Sequence, residues 1–263
     1  MNELITDELL SQIPGLSKYT CDELRITRLE GLTNHNFRIQ VGSQDWVLRL
    51  PRSETNGLID RVAESNNQAL AASIGIAFLP LWSDLKGRSL TRTLKHSRAL
   101  GRRDFVVSNG VEKVAAVLRK LHFSGFQFRG LIEAGPVLEN YFSRLPAAKQ
   151  AALMPRKREA EEMLQRLVPS DLPPVASHID PVLQNLLLKQ QQLWLIDWEF
   201  SAMASPYWDL AIVCNAAGLN SVQARELLNL YCVADPQMEE SMLSDYRFLL
   251  QLIDDCWMAL VSA

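Results

Sequence analysis

Residues 185–197 constrain this chain more than any other stretch. Two apolar runs, Leu186-Leu187-Leu188 and Leu193-Trp194-Leu195-Ile196, flank the polar segment Lys189-Gln190-Gln191-Gln192. Apolar runs on either side of a short polar turn form a β-hairpin. A hairpin folds back on itself, so Asn185 at its start and Asp197 at its end must lie side by side. The segment Ser177-His178-Ile179-Asp180-Pro181-Val182-Leu183-Gln184 leads into it and places Asp180 in a loop able to curl over the same point. Three oxygen-bearing side chains then converge. That donor set suits a hard cation such as Mg2+ and leaves room for substrate oxygens, as phosphoryl transfer requires.

The rest of the chain divides into a strand-rich front and a helix-rich back. Residues 1–20 make a short amphipathic lead, with Leu4, Leu9, Leu10 and Ile13 and a stop at Pro14-Gly15. Strands are expected over residues 24–29, 37–41 and 46–50, the last two joined by the turn Gly42-Ser43-Gln44-Asp45. A helix over 58–73 ends at Gly75, and a strand pair over 78–83 and 88–94 brackets Asp84-Leu85-Lys86-Gly87. Beyond it the period turns helical. Val111, Val114, Ala115, Leu118 and Leu121 share one face of a helix over 110–122. Helices continue through 137–168, where Pro155 is expected to break them, and again over 222–263. We therefore expect an α+β fold of two lobes, a small β-rich lobe over 1–95 and a larger helical lobe over 96–263, with a cleft between them.

Composition excludes some classes. The formal net charge of −3 lacks the basic excess of a nucleic-acid-binding protein. Cys21, Cys214, Cys232 and Cys256 show no C-x-x-C spacing, so reduced thiols in a reducing compartment are expected. The N-terminus has no apolar core of a signal peptide, and no stretch reaches the roughly 18 apolar residues of a membrane span. Residues 248–263 come nearest and are interrupted by Asp254 and Asp255. These features point to a cytoplasmic protein with no membrane or nucleic-acid partner, and they leave the oligomeric state open.

The pattern His178-x-Asp180-x-x-x-x-Asn185, with a hairpin ending in Ile196-Asp197-Trp198-Glu199, resembles the aminoglycoside phosphotransferase and choline kinase superfamily. The likeness to its choline and thiamine kinase branch extends further. Gly31-Leu32-Thr33-Asn34-His35-Asn36-Phe37 looks like that branch's phosphate loop, and Val47-Leu48-Arg49-Leu50 like its third strand. Arg61-x-x-Glu64 looks like the start of its C helix, and Ser205-Pro206-Tyr207-Trp208-Asp209-Leu210-Ala211 like the segment after its metal-binding aspartate. The resemblance implies a two-lobed protein-kinase-like fold. It also implies a kinase that uses ATP and Mg2+ to phosphorylate the hydroxyl of a small molecule.

The resemblance also implies roles. Asp180 orients or accepts the acceptor's proton, and His178 shapes its loop. Asn185 and Asp197 hold Mg2+. Arg49 contacts the ATP phosphates and pairs with Glu64, and the backbone amides of Thr33, Asn34, His35 and Asn36 cover those phosphates. Arg49 stands where protein kinases carry Lys, which the choline kinase branch tolerates. Asp209 reads as a partner for loop amides.

Choline, ethanolamine and thiamine are the leading acceptors. A cationic acceptor wants an aromatic wall and a carboxylate, for which Glu199, Phe200, Trp208 and Trp257 are candidates. An aminoglycoside or sugar kinase is an alternative, since Asp235, Glu239, Glu240 and Asp245 offer an acidic run. A nucleotide-binding pseudokinase scaffold is another.

Overall fold

Buried residues alternate through the front half. Phe37 and Ile39 in β2 (Asn34–Val41) and Trp46, Leu48 and Leu50 in β3 (Gln44–Pro51) point inward in steps of two, the period of a strand with one face in a core. The computed structural model describes residues 4–29, 34–52, 59–107, 109–167, 172–232 and 238–261. In it β2 and β3 are joined by β1 (Arg25–Leu29), β4 (Trp82–Ser83) and β5 (Ser89–Arg92) in an antiparallel sheet of order β1-β2-β3-β5-β4. The short helix α1 (Asp7–Ser11) and its flanks close one core against this sheet through Ile5, Leu10, Ile13 and Leu16. β4 is shorter than expected because Pro80, just before it, has no N–H to give a ladder. β2 is longer than expected and takes in Asn34, His35 and Asn36, which pair with Pro51, Leu50 and Arg49.

The helix α2 (Arg61–Ser73) starts at the cap residue Asp60, whose Oδ1 accepts from the amides of Val62 and Ala63 at 3.0 Å each. A second core gathers the short helix α3 (Asp104–Val107), through Phe105, and the helices α4 (Gly110–His122), α5 (Ala134–Ser143), α7 (Pro206–Ala217), α8 (Ser221–Tyr231) and α9 (Glu240–Val261). It also takes in Ala71, Ile76 and Ala77, so residues ahead of position 95 contribute to both cores. α6 (Ala147–Leu167) runs through Pro155 without ending, contrary to expectation. Pro155 and Ala151, whose carbonyl loses its helical donor, are both on the exposed face, where water serves instead.

The hairpin consists of β8 (Leu186–Lys189) and β9 (Gln192–Leu195), with β6 (Arg98–Ala99) paired to β8. Two three-residue strands, β7 (Val175–Ser177) and β10 (Ala202–Ala204), pair with Ser177 opposite Ala202. They staple the two ends of segment 178–201, which makes it a closed loop. No helix among the described residues is long and apolar enough to cross a membrane.

Candidate active site

Inside that stapled loop the hairpin sets the register. Leu186 pairs with Leu195, and the Ile196 amide donates to the Asn185 carbonyl at 3.1 Å. Asn185 and Asp197 are thereby neighbours. The Asn185 Nδ2 donates to the Asp180 carbonyl (2.9 Å) and to its Oδ2 (3.1 Å). The Asn185 and Asp180 side chains are thus in contact, and the charge of Asp197 reaches the Asp180 carboxyl.

The loop is held under strain. Ile179 has φ of +74° and Asp197 of +66°. A β-branched residue in the left-handed region costs about 1–3 kcal/mol and persists only where its surroundings over-determine it. Here they do. Asp209 accepts from the amides of His178 and Ile179 at 2.8 Å each, and the Trp208 indole N–H donates to the Ile179 carbonyl at 3.0 Å. The His122 Nε2–H also donates to Asp209, at 3.0 Å, and its Nδ1 lies 2.7 Å from the Tyr231 hydroxyl. Burial alone would push the Asp209 carboxyl up, but bonds from His122 and His178 hold it below the usual range. His178 is buried, its Nε2–H donates to the Ile196 carbonyl at 3.0 Å, and its ring packs on Trp198.

Above the loop, Arg49 pairs with Glu64 at 2.6 Å and approaches Asp197 at 3.5 Å. The sequence did not single out Arg61 by itself. Its Nη1 donates to Glu64 Oε2 (2.7 Å) and to Glu199 Oε2 (3.3 Å), and Asn34 Nδ2 donates to the same Glu199 oxygen at 3.1 Å. Glu64, Asp197 and Glu199 thus meet two guanidiniums, and Asp180 lies close enough to Asp197 and Glu199 to feel their charge. Burial and then the charges of Asp197, Glu199 and Asp254 push the Asp180 carboxyl up to about 7. Burial and Glu199 raise Asp197 against the pull of Arg49.

Glu199 Oε1 is a buried oxygen with no hydrogen-bond donor, and Asp197 Oδ1 has only the Arg49 guanidinium, 3.5 Å away. Two under-satisfied carboxylate oxygens and an excess of carboxylates over guanidiniums fit one divalent cation. Among the described residues no three His, Cys, Asp or Glu side chains form a metal cluster. The expected set differs from such a cluster in using an amide, Asn185.

The remaining candidates are scattered. Thr33 and the glycine of its loop lie outside the described residues. Asn34, His35 and Asn36 sit within β2, and the Asn34 side chain is spent on Glu199. Trp208 is 4% exposed and supports the loop from below. Phe200 is half-buried against the second core. Trp257 is half-buried and lies against Tyr141, with ring centroids 5.5 Å apart. Asp254 stands one turn before Trp257 on α9, and its charge acts on Asp180. Two members of the acidic run are held in ion pairs. Glu240 pairs with Arg225 and Asp245 with Arg166, the Glu239 amide donates to the Tyr207 hydroxyl, and Asp235 lies outside the described residues.

Residues 25–242 match a family described as the phosphotransferase enzyme family. The chain belongs to that phosphotransferase family. Two proteins named LicA from Haemophilus influenzae, one of them from strain ATCC 51907 / DSM 11121 / KW20 / Rd, are each 31% identical to this phosphotransferase. The alignments cover 77% and 76% of this chain but 61% and 77% of those proteins, so the chain spans about three-fifths of the first. The crystal structure of a choline/ethanolamine kinase family protein from Mesorhizobium loti superposes with a TM-score of 0.79 at 28% identity, covering 97% of this chain and 84% of that one. Choline kinase LicA from Streptococcus pneumoniae superposes with a TM-score of 0.81 at 22% identity, covering 96% and 88%. This phosphotransferase therefore has the kinase-like α+β fold expected from its sequence.

Proposed function

We propose that this chain transfers the terminal phosphoryl group of ATP, with Mg2+, to the hydroxyl of a small cationic alcohol, with choline the leading acceptor. The observation that carries the reading is the convergence of Asp180, Asn185 and Asp197 beneath Arg49. Asn185 and Asp197 would hold Mg2+, which supplies positive charge against the phosphate oxygens. Asp180 orients the acceptor hydroxyl and takes its proton as the oxygen attacks phosphorus. A carboxyl pushed up to about 7 is matched to that task near neutral pH, and such a base contributes roughly 10²–10⁴-fold. Arg49, fixed by Glu64, offers its guanidinium to the phosphates. Transfer then rests on positioning and charge rather than on covalent chemistry by the protein.

The acceptor side is supported by Asp254, whose charge acts on Asp180 and which stands one helical turn before Trp257, itself packed on Tyr141. The choline/ethanolamine kinase family protein and the choline kinase that this chain resembles favour choline or ethanolamine. The ion pairs that occupy Glu240 and Asp245 weigh against a polycationic antibiotic. Reduced cysteines suit a cytoplasmic setting.

The test is phosphorus NMR of the protein with ATP, Mg2+ and one acceptor at a time: choline, ethanolamine, thiamine, an aminoglycoside and a sugar. We expect a phosphomonoester with choline or ethanolamine and none with Asp180→Asn, which still binds nucleotide. Product from Asp180→Asn at the wild-type rate, or no product from any acceptor, refutes the reading.

A further inference from the structure

The turn between β4 and β5 is fastened more firmly than its sheet needs. Asp84 Oδ1 accepts from the amides of Lys86 and Arg88 at 3.0 Å each, and the Arg88 guanidinium closes on Asp84 Oδ2 at 2.7 Å. The Gly87 amide donates to the Asp84 carbonyl at 3.0 Å. Gly87 has φ of +81° and lies against the Arg61 guanidinium. A Cβ there would fall 2.3 Å from Nε, 2.5 Å from Cζ and 2.8 Å from Nη2. Its carbonyl accepts from Arg49 Nε at 3.2 Å. One glycine therefore touches both cations of the cleft, one through its bare Cα and the other through its carbonyl.

Arg61 is not placed for the good of its helix. It is the first residue of α2, where the macrodipole disfavours a cation. Its side chain is 11% exposed and bridges Glu64 and Glu199, residues far apart in the chain. Glu64 is shared: Oε1 goes to Arg49 at 2.6 Å and Oε2 to Arg61 at 2.7 Å. Without Arg61, both Glu64 oxygens become available for a bidentate pair with Arg49, the geometry a guanidinium favours. That pair would draw Arg49 away from Asp197.

We propose that Gly87 is a positioning residue: it seats Arg61 on Glu64 and Glu199, and so keeps Arg49 aimed at Asp197 and the nucleotide phosphates. The proposal rests on the reading of this cleft as a nucleotide site. Its test is the affinity for Mg-ATP by calorimetry across a double-mutant cycle. Gly87→Ala should raise the Kd about tenfold. Gly125→Ala is the control for backbone strain, since Gly125 has φ of +74° and open space where its Cβ would stand; it should stay within about twofold. Arg61→Lys lacks the planar fork and should weaken binding as Gly87→Ala does. Adding Gly87→Ala to Arg61→Lys should then cost little more, because both act through one contact. The KM of the acceptor should stay within about twofold throughout.

Equal affinities for Gly87→Ala and Gly125→Ala, or two effects that simply multiply, overturn the positioning role. If Gly87→Ala does not fold, Arg61→Lys with wild-type affinity overturns it alone. A wild-type protein that binds no Mg-ATP overturns the nucleotide reading as well.

Discussion

Replacing Asp209 by Asn keeps the shape of the side chain and removes its charge and one acceptor. Asp209 Oδ1 accepts from the Ile179 amide, while Oδ2 accepts from both the His178 amide and His122 Nε2. In Asp209→Asn the remaining oxygen serves one side, and the NH2 group must face donors on the other. His122 can shift its proton to Nδ1 and turn to Tyr231. The His178 amide has no such escape. One buried donor left unsatisfied costs about 1–3 kcal/mol, and weakening the surviving charge-assisted bonds adds about 1 more. The expected loss is about 2–4 kcal/mol, a large part of the roughly 5–15 kcal/mol that holds a protein folded. Urea unfolding followed by circular dichroism at pH 7 should show the midpoint falling by about 1 M. The released loop also misplaces Asp180, so kcat should fall about 10²-fold. The sign with pH follows from the lowered carboxyl of Asp209. A depressed folded value stabilises above the unfolded one and the benefit fades as pH falls, so the gap between wild type and variant should narrow below about pH 4. An unchanged urea midpoint would refute the account of the loop.

Two further outcomes are expected. Because Asp180 is raised to about 7, the metal-free folded protein holds a proton that the unfolded chain releases above about pH 4. Its stability should therefore fall as pH rises from about 4 to about 7, and Mg-ATP binding at pH 6.5 should expel protons. Binding enthalpies identical in two buffers of different ionisation heat would count against it. Asp254→Asn should raise the KM for a cationic acceptor about tenfold and leave the KM for ATP within about twofold; equal changes in both would remove Asp254 from the acceptor side.

The hairpin and the Asp180, Asn185 and Asp197 cluster were legible because turn chemistry and spacing act locally. So was the helix Gly110–His122, whose apolar face repeats cleanly. Trp208 was harder to place by aromatic chemistry alone. The segment Pro206–Ala217 is apolar nearly all round, the mark of a buried helix, and that signal assigns Trp208 to the core and demands a partner for Asp209. β7 and β10 are three residues each, too short to show a period. The contact of Arg61 with Glu199 shows only in three dimensions, since nothing local says that a helix-start arginine meets a carboxylate in the other half of the chain.

Asn34 and Arg61 meet Glu199 across 165 and 138 residues of chain. Closing loops of that length is cheap once both ends exist, about 0.6 kcal/mol for each doubling. During synthesis, however, the ends do not exist together. At about 5–20 residues per second, roughly 7–28 s separate the making of Arg61 from that of Glu199. Through that interval Arg49 and Arg61 hold their pairs with Glu64 and their contacts with Gly87, and lack the partners from the hairpin. A ribosome that stalls before the hairpin leaves a sheet and α2 whose two arginines hold Glu64 and Gly87 but lack Asp197 and Glu199.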